Sequence, residues 1–302
     1  MEQDDAYLPP STPGQPAPGQ TKPGLTLVAT PIGNLGDLSP RAAAALAGAD
    51  AVLCEDTRVT SRLLARHSIS AKMLALHDHN EESEAPRLVS RMLAGERFAL
   101  VSDAGTPLVS DPGYRLVRAA IASGVSVTAV PGPSAVVMAL TLSGLPPHPF
   151  LFHGFLPPKA VARAAEVTRI AHMEAAGLSA SLVFYEAPHR TAEALAALAE
   201  GLGADRPACV ARELTKRFEE VRRGSLAELA AHYAANEVRG EVVLCVGPAP
   251  PPAAATAETL DDALRAAMAT LSVRDAAATV AEATGLPRKR VYARALELAA
   301  GR

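Results

Sequence analysis

The stretch Leu100-Val-Ser-Asp-Ala-Gly-Thr-Pro-Leu-Val-Ser-Asp-Pro-Gly113 joins a predicted buried strand to a predicted helix. Residues 98–101 are apolar and typical of a strand, and residues 114–123 carry apolar side chains at helical spacing. The stretch holds two Gly and two Pro, which makes it too irregular for either element. Ligand sites in open α/β sheets lie where strands end, so polar groups collected here indicate a site. For one such loop, an ordinary βα turn is the simpler interpretation.

Two further loops repeat the order of strand, small-residue loop and helix. A predicted strand at residues 25–29 precedes Thr30-Pro-Ile-Gly-Asn-Leu-Gly-Asp37, and another at 125–130 precedes Pro131-Gly-Pro-Ser-Ala135. The first of these loops matches neither the dinucleotide nor the P-loop fingerprint of nucleotide-binding proteins. With two more strands at 51–54 and 73–76, the repeat predicts a mainly parallel sheet with helices on both faces.

The rest of the chain divides into further segments. Predicted strands at 150–155, 181–185, 208–211 and 241–246, with helices between them, indicate a mixed sheet in a second α/β or α+β domain. We therefore expect α/β domains at 25–147 and 148–247, preceded by a disordered Pro-rich tail at 1–24. A Pro/Ala linker is expected at 248–258, before a small helical module at 259–302.

The helical module has the pattern of a helix-turn-helix, with Thr284-Gly285-Leu286 between its last two helices. Arg288, Lys289 and Arg290 begin the final helix, and Arg294 follows them. In a helix-turn-helix this end faces nucleic acid. A solvated helix start with spare positive charge explains the same residues equally well.

Composition excludes several classes of protein. A net charge of −3 over 302 residues is incompatible with a uniformly basic nucleic-acid binder, so any RNA contact must come from a local patch. Cys54, Cys209 and Cys245 stand alone in apolar runs, as buried thiols of a reducing compartment do. Without a membrane-spanning stretch or a basic signal-peptide start, we expect a soluble cytoplasmic protein with no membrane partner.

Four more motifs accompany the three loops: Glu55-Asp-Thr-Arg58, Leu76-His-Asp-His-Asn-Glu81, Phe184-Tyr-Glu-Ala-Pro-His-Arg190 and Arg212-Glu-Leu-Thr-Lys216. In this order they resemble the bacterial small-subunit ribosomal RNA (cytidine-2′-O)-methyltransferases of the tetrapyrrole methylase superfamily. The resemblance runs from about residue 25 to 246, and the C-terminal helices also fit it.

The resemblance implies a two-domain tetrapyrrole-methylase-like α/β architecture with an inter-domain cleft, a homodimer, and S-adenosyl-L-methionine as cofactor. The implied reaction is methyl transfer to the ribose 2′-hydroxyl of a decoding-site cytidine in 16S ribosomal RNA, either free or in the assembled small subunit. One departure concerns the segment after residue 158, where the family carries several basic residues and this chain has only Lys159, Arg163 and Arg169. A weaker or relocated grip on RNA is expected there.

The resemblance also implies a set of cofactor-binding residues. Small residues would let backbone groups approach the cofactor, and Asp103 would accept hydrogen bonds from its amino or hydroxyl groups. Turn geometry explains each Gly or Pro equally well when it is taken singly. The implied positions are Pro31, Ile32, Gly33, Val101, Ser102, Asp103, Thr106, Ser134, Ala135, Glu186 and Leu214.

Proton removal from the alcohol needs a carboxylate or an imidazole, and transfer from a sulfonium requires no metal. Asp56 is the favoured base, with Glu55 beside it, and only one of the two should enter the cleft because neighbouring strand residues point to opposite faces. Arg58 would orient that carboxylate or hold a phosphate. The alternative is a purely structural ion pair between Glu55 and Arg58.

His77 and Asp78 are further catalytic candidates, as a proton shuttle or as hydrogen-bonding groups for RNA. His77 and His79 share a face if their strand continues, which suggests a metal site, but no third ligand has a fixed spacing and none is expected. Arg190, Arg212 and Lys216, with His189 and Arg217 nearby, would neutralise phosphates from the second domain. Solubility alone accounts for any one of these cations.

Two other functions remain open from the sequence. A methylase of a small tetrapyrrole or corrinoid would use the same cofactor loops but has no need of basic C-terminal helices. A non-enzymatic nucleic-acid-binding protein would use those helices and leave the three loops unexplained.

Overall fold

The computed structural model describes residues 22–250 and 257–300. Most of the predicted tail, residues 1–21, and most of the predicted linker, residues 251–256, lie outside the described residues. The chain forms two compact units that divide after Pro248. The two predicted α/β domains are therefore parts of one unit, and the helical module belongs to the other.

The first sheet consists of β1 (Gly24–Val28), β2 (Ala51–Cys54), β3 (Met73–Ala75), β4 (Arg97–Leu100) and β5 (Val127–Val130). The strand order is β3-β2-β4-β1-β5, and all neighbours are parallel. The carboxyl ends of the strands therefore meet at one edge, as the repeated βα pattern predicts.

Helices cover both faces of the first sheet, because successive strand residues point to opposite sides and both sets are apolar. Leu25, Leu53 and Phe98 pack on one side against α3 (Glu81–Leu93) and α4 (Tyr114–Ala122). Val28, Val52 and Ala99 pack on the other against α1 (Pro40–Ala47) and α2 (Thr57–Arg66).

The second sheet consists of β6 (Phe150–Phe155), β7 (Ser181–Glu186), β8 (Pro207–Arg212), β9 (Glu220–Ser225) and β10 (Val242–Val246). Its order is β6-β7-β10-β8-β9, and only β6 and β7 pair in parallel, so the sheet is mixed as predicted. The sequence pattern does not predict β9. This strand is at the sheet edge and is half-exposed or exposed along its length, so it carries no apolar alternation.

The two faces of the second sheet pack on different partners. Leu182, Phe184 and Leu244 lie in a core with α6 (Ala160–Ala175), α7 (Thr191–Leu202) and α8 (Leu226–Ala235). The opposite face, which includes Val183 and Cys245, packs against α5 (Ala135–Ser143). Helix α5 starts from a loop of the first sheet, so it connects the two halves of this unit.

The second unit contains α9 (Ala257–Ala267), α10 (Val273–Thr284) and α11 (Arg288–Ala300). Leu264, Val280 and Val291 are among its core residues. Helix α10 is capped by Gly285, which has a φ of +67°, and α11 begins three residues after this glycine, as in the predicted helix-turn-helix. No helix within residues 22–250 or 257–300 is long and apolar enough to cross a membrane.

Candidate active site

The three loops converge at the carboxyl edge of the first sheet. The Thr30 N–H donates to the Gly105 carbonyl oxygen at 2.8 Å, and the Gly105 N–H returns a bond to Thr30 at 3.1 Å. The Thr106 hydroxyl donates to the Pro133 carbonyl oxygen at 3.1 Å. The second loop is therefore bonded to both of its companions, as expected for one binding site rather than three unrelated turns.

Gly105 allows this close approach. Its φ is +83°, and a Cβ atom there would lie 3.2 Å from Ile32 Cγ2 and 3.7 Å from the Pro133 carbonyl oxygen. Any side chain would be strained by the backbone and crowded by Ile32. Gly105 is therefore required for the close approach of the central loop to the first loop, and not only for its own turn.

The first loop also touches the second half of this unit. The Asn34 N–H donates to the Thr215 hydroxyl at 3.0 Å. A Cβ atom on Gly33 would lie 2.5 Å from Lys216 Cγ. Leu214 is buried between Glu213 and Thr215, whose φ values of +51° and +66° are unusual for residues with side chains. Such local strain is typical of functional sites.

A cleft of about 330 Å³ lies where these segments meet. Its size is within the range of small-molecule sites, roughly 300–1,000 Å³. The predicted cofactor residues Ile32, Ala135, Glu186 and Leu214 line it directly. The other lining residues are Ala104, Gly105, Val109, Ser110, Asp111, Phe155, Tyr185, Ala187, Pro188, Gly240, Glu241, Val242 and Val243.

The remaining predicted cofactor positions support the loops instead of lining this cleft. Val101 is buried in the core of the first sheet. The Ser102 hydroxyl donates to the carbonyl oxygens of Ala104 and Gly105, at 3.2 and 3.3 Å. Pro31, Gly33, Asp103, Thr106 and Ser134 are likewise outside the set of lining residues.

Glu186 is buried and neutralised within the protein. Its carboxylate accepts from the Ala187 N–H at 2.8 Å and lies 2.9 Å from the Arg190 guanidinium. Arg190 also donates to the Leu156 carbonyl oxygen, and only 18% of its side chain is exposed. The structure therefore places this predicted RNA-binding residue in an internal ion pair.

Asp56, the predicted base, caps helix α2. Its carboxylate accepts from the Arg58 N–H at 2.8 Å and lies 2.7 Å from the Arg58 guanidinium. These bonds lower the pKa of Asp56 to about 2, which makes it a weak proton acceptor. Arg58 therefore pairs with Asp56, and not with Glu55 as in the structural ion pair that the sequence left open. Asp103 accepts from the Asp56 N–H at 3.1 Å, which connects the second strand end to the central loop.

Among the residues that the structure describes, a second group of carboxylates forms no ion pair. Partial desolvation raises the pKa of the largely exposed Glu55, and the charges of Asp103 and Asp78 raise it further. Burial likewise raises the pKa of Asp111 to about 6, with added repulsion from Glu55 and Asp103. Asp111 belongs to the central stretch of the sequence, where its spacing predicts no role for it. An acid before Pro-Gly, in the loop between a strand and a helix, was the available signal.

His77, Asp78 and His79 lie beside Glu55 in a turn. Strand β3 ends at Ala75, and the His77 N–H donates to the Asn80 side-chain oxygen at 2.9 Å. The strand does not continue, so the shared face that a His77–His79 metal site needs is not formed. The two rings lie 6.0 Å apart between centroids. His77 lowers the pKa of Glu55, which places it within electrostatic reach of the carboxylates.

The other predicted RNA-binding cations fall into two groups. Arg212 lies 2.6 Å from Glu220, and Lys216 lies 2.8 Å from Glu213 and 2.7 Å from Glu241. Arg58 is paired but 86% exposed. Lys159, Arg288, Lys289 and Arg290 are exposed, and within the described part of the chain no ion pair involves them. By contrast, Arg294 pairs with Asp261 and Glu297 at 2.6 Å.

Comparison with known proteins identifies the family. The profile described as Tetrapyrrole (Corrin/Porphyrin) Methylases matches residues 24–230. The chain belongs to the tetrapyrrole methylase family. In this methylase a second profile, described as the RsmI C-terminal HTH domain, matches residues 253–299.

Two relatives of the methylase carry the name Ribosomal RNA small subunit methyltransferase I. The protein from Mesorhizobium japonicum is 49% identical over 278 residues, which cover 92% of each chain. The protein from Pseudomonas aeruginosa is 45% identical over 90% of this chain and 96% of its own.

Solved structures agree with the fold. The uroporphyrin-III C-methyltransferase from Thermus thermophilus, complexed with S-adenosylhomocysteine, has a TM-score of 0.52 at 20% identity, over 74% of this chain and 97% of its own. A diphthine synthase has a TM-score of 0.56 at 16% identity, over 74% and 89%. The predicted α/β methylase fold with a C-terminal helical module is confirmed, as is S-adenosylmethionine as the cofactor of this family.

Proposed function

We propose that this methylase transfers a methyl group from S-adenosylmethionine to the ribose 2′-hydroxyl of a decoding-site cytidine in 16S ribosomal RNA. The observation that carries the proposal is the convergence of three small-residue loops and the Leu214 segment on one cleft. The names of relatives at 45–49% identity support ribosomal RNA of the small subunit as the substrate class. Those names give neither the methylated nucleotide nor the atom that accepts the methyl group, so the cytidine and its 2′-hydroxyl are proposed here.

The cleft fits the cofactor in size and chemistry. Its lining is mainly apolar, with a few polar groups that would fix the orientation of a ligand. Ile32, Ala135 and Leu214 would pack on the cofactor, and the closely approaching Gly105 backbone leaves room for it. Asp103 and Thr106 would act by holding the loops in place. When bound, S-adenosylmethionine would supply a methyl group attached to a sulfonium. The neutral thioether that forms is a good leaving group, so no metal is required.

The chain itself has three tasks in such a reaction: to align the hydroxyl, to exclude water and to take a proton. The mainly apolar lining of the cleft would help to exclude water once the cofactor is bound. The carboxylates at the strand ends, with His77 beside them, are the groups available for the proton. Asp56 is paired with Arg58, so the proposal does not depend on it as the base.

Exposed cations are proposed to hold the RNA. Arg288, Lys289 and Arg290 begin α11, the position that faces nucleic acid in a helix-turn-helix. Arg58 and Lys159 would add phosphate contacts within the methylase unit. Arg212 and Lys216 are engaged in ion pairs, so we assign them a smaller part. A homodimer and a cytoplasmic location accompany this proposal as predictions.

The function is tested with methyl-labelled S-adenosylmethionine and three acceptors: unmodified small ribosomal subunits, naked 16S RNA, and uroporphyrin III. We expect label in one of the RNA acceptors, and nucleoside analysis by mass spectrometry should identify it as 2′-O-methylcytidine. Label on a base or a different nucleotide would contradict the finer proposal. Label only on uroporphyrin would favour the small-tetrapyrrole alternative, and label on none would support the non-enzymatic one.

A further inference from the structure

The structure holds Asp111 in a defined position on the wall of the cleft. The preceding Leu108 and Ser110 have φ values of +74° and +72°, so this loop is in a strained conformation. Beyond Asp111, Gly113 has a φ of +121°, and a Cβ there would lie 2.6 Å from Leu100 Cδ2. The loop is therefore fixed against the end of β4, and the carboxylate that it carries is preorganised.

The three carboxylates that line the cleft differ in their partners. Glu186 is paired with Arg190, and Glu241 lies 2.7 Å from the Lys216 ammonium group. Within residues 22–250 and 257–300, no hydrogen bond or ion pair involves the Asp111 carboxyl. Asp111 is therefore the lining carboxylate whose oxygens are available to a substrate.

The groups that face Asp111 repel its charge. Glu55 and Asp103, at the ends of β2 and β4, add to the burial that raises the pKa of Asp111 to about 6. Across the cleft, burial and then the charges of Asp111 and Glu241 raise the pKa of Tyr185 to about 12, so this phenol stays neutral. A carboxylate of this kind is mostly ionised at neutral pH and still accepts a proton readily.

Resting on the proposed function, we infer that Asp111 is the general base that takes the proton of the ribose 2′-hydroxyl. As the 2′-oxygen forms its bond to the methyl carbon, the carbon–sulfur bond breaks and its electron pair remains on sulfur as a neutral thioether. The hydroxyl proton passes to a carboxylate oxygen of Asp111 and then to solvent. No oxidant, metal or second acid is needed for this balance.

The first test compares Asp111→Asn with Asp205→Asn in the full-length protein. Asp205 is an exposed residue in the turn before β8 and is outside the cleft lining. With saturating S-adenosylmethionine and unmodified small subunits, Asp111→Asn should slow single-turnover methylation about 100-fold, a typical general-base effect. Calorimetry should show S-adenosylmethionine affinity within about twofold of wild type, and Asp205→Asn should match wild type in both measurements.

Each other outcome has a definite meaning. A tenfold weaker affinity for S-adenosylmethionine with an unchanged saturated rate would make Asp111 a cofactor ligand and overturn the inference. An unchanged rate and affinity would also overturn it, while the proposed function would stand because the wild type still labels RNA. If the wild type labels none of the RNA acceptors, the proposed function itself fails, and the inference fails with it.

A second readout does not depend on turnover. Carbon-13 NMR of the aspartate carboxyls, assigned with Asp111→Asn, should show one group titrating near pH 6 in the protein without RNA. Glu55→Gln removes a neighbouring negative charge, so it should lower that pKa. The acid limb of the pH–rate profile should shift to lower pH by the same amount. A shift in the NMR titration without a shift in the rate profile would assign the base to another group.

Discussion

Two acidic turns lie at the ends of neighbouring strands of the first sheet, and they differ in their counter-charges. After β2, Asp56 is capped and paired with Arg58, and its pKa is about 2. In the loop after β4, Asp111 lines the cleft, and no ion pair involves it within the described residues. Burial and the charges of Glu55 and Asp103 raise its pKa to about 6. The same residue type is a structural anion in one turn and a proton acceptor in the other. Environment, rather than residue type, determines which acid can do chemistry.

The largest expected effect tests what happens when a paired carboxylate loses its cation. Arg190→Met should lower the free energy of unfolding by about 3 kcal/mol, because it leaves the fully buried Glu186 carboxylate without its partner. Urea denaturation at pH 7.5 measures the change. Arg87→Met, which removes an exposed helix-surface ion pair with Glu84, is the matched control and should change stability by less than about 0.5 kcal/mol. Equal losses in both variants would contradict the prediction.

The comparison between the two turns is tested most directly by kinetics. Asp56→Asn keeps a side chain that caps helices well, so it should slow methylation less than about fivefold. Asp111→Asn should slow it about 100-fold. Single-turnover rates at pH 7.5 provide the ratio. If Asp56→Asn proves the slower variant, the catalytic role returns to the residue that the sequence favoured.

The Asp111 carboxylate, which forms no ion pair within the described residues, should also lower the free energy of unfolding. The folded pKa of Asp111, about 6, is above the value of an unfolded aspartate, about 3.9. The folded state is therefore penalised above pH 6 and not below pH 4. Asp111→Asn should raise the free energy of unfolding by about 1–2 kcal/mol at pH 8, reduced from the full shift because part of the side chain meets water. Denaturation at pH 4 and pH 8 measures this gain, and a gain of the same size at both values would contradict its electrostatic origin.

The contribution of cations to RNA binding can be compared in the same way, between exposed side chains that form ion pairs and exposed side chains that form none within the described residues. Neutralising Arg288, Lys289 and Arg290 together as Gln should raise the Kd for small-subunit RNA about tenfold and lower the salt slope by about three. Filter binding at several salt concentrations measures both. Replacing the paired Arg115, Arg222 and Arg239 by Gln is a control with the same change in charge. An equal loss in that control would indicate a general charge effect in place of a local patch.

The last test concerns the cause of the low Asp56 pKa and is expected to leave activity and stability almost unchanged. Arg58→Ala removes the guanidinium that is hydrogen-bonded to Asp56, so the pKa should rise from about 2 toward the ordinary value of about 3.9. Carbon-13 titration of the carboxyl measures it. A pKa that stays at about 2 would show that the helix N-terminus, and not Arg58, stabilises the charge.

Much of the architecture follows from local sequence. Apolar runs that end in small-residue loops predict the first sheet, and parallel strands must bring those loops to one edge. Strand β9 escapes prediction because an exposed edge strand needs no apolar alternation; its pairing with β8 supplies the order. The functional assignments of Asp56, Asp111 and Arg190 depend on which charge lies next to each side chain. That information arises only when distant segments meet, so sequence spacing does not contain it.

Helix α5 has a mechanical consequence for the methylase. It leaves a loop of the first sheet, and its Val136, Ala139 and Leu140 are embedded in the layer beneath the second sheet. If the two sheets separated as rigid bodies and α5 stayed with the first, these apolar side chains would lose their packing against the second sheet. Local displacement of loops at the rim would admit a small molecule without disturbing this packing, whereas a hinge-like opening would have to carry α5 with the second sheet and bend the loop at residues 131–134.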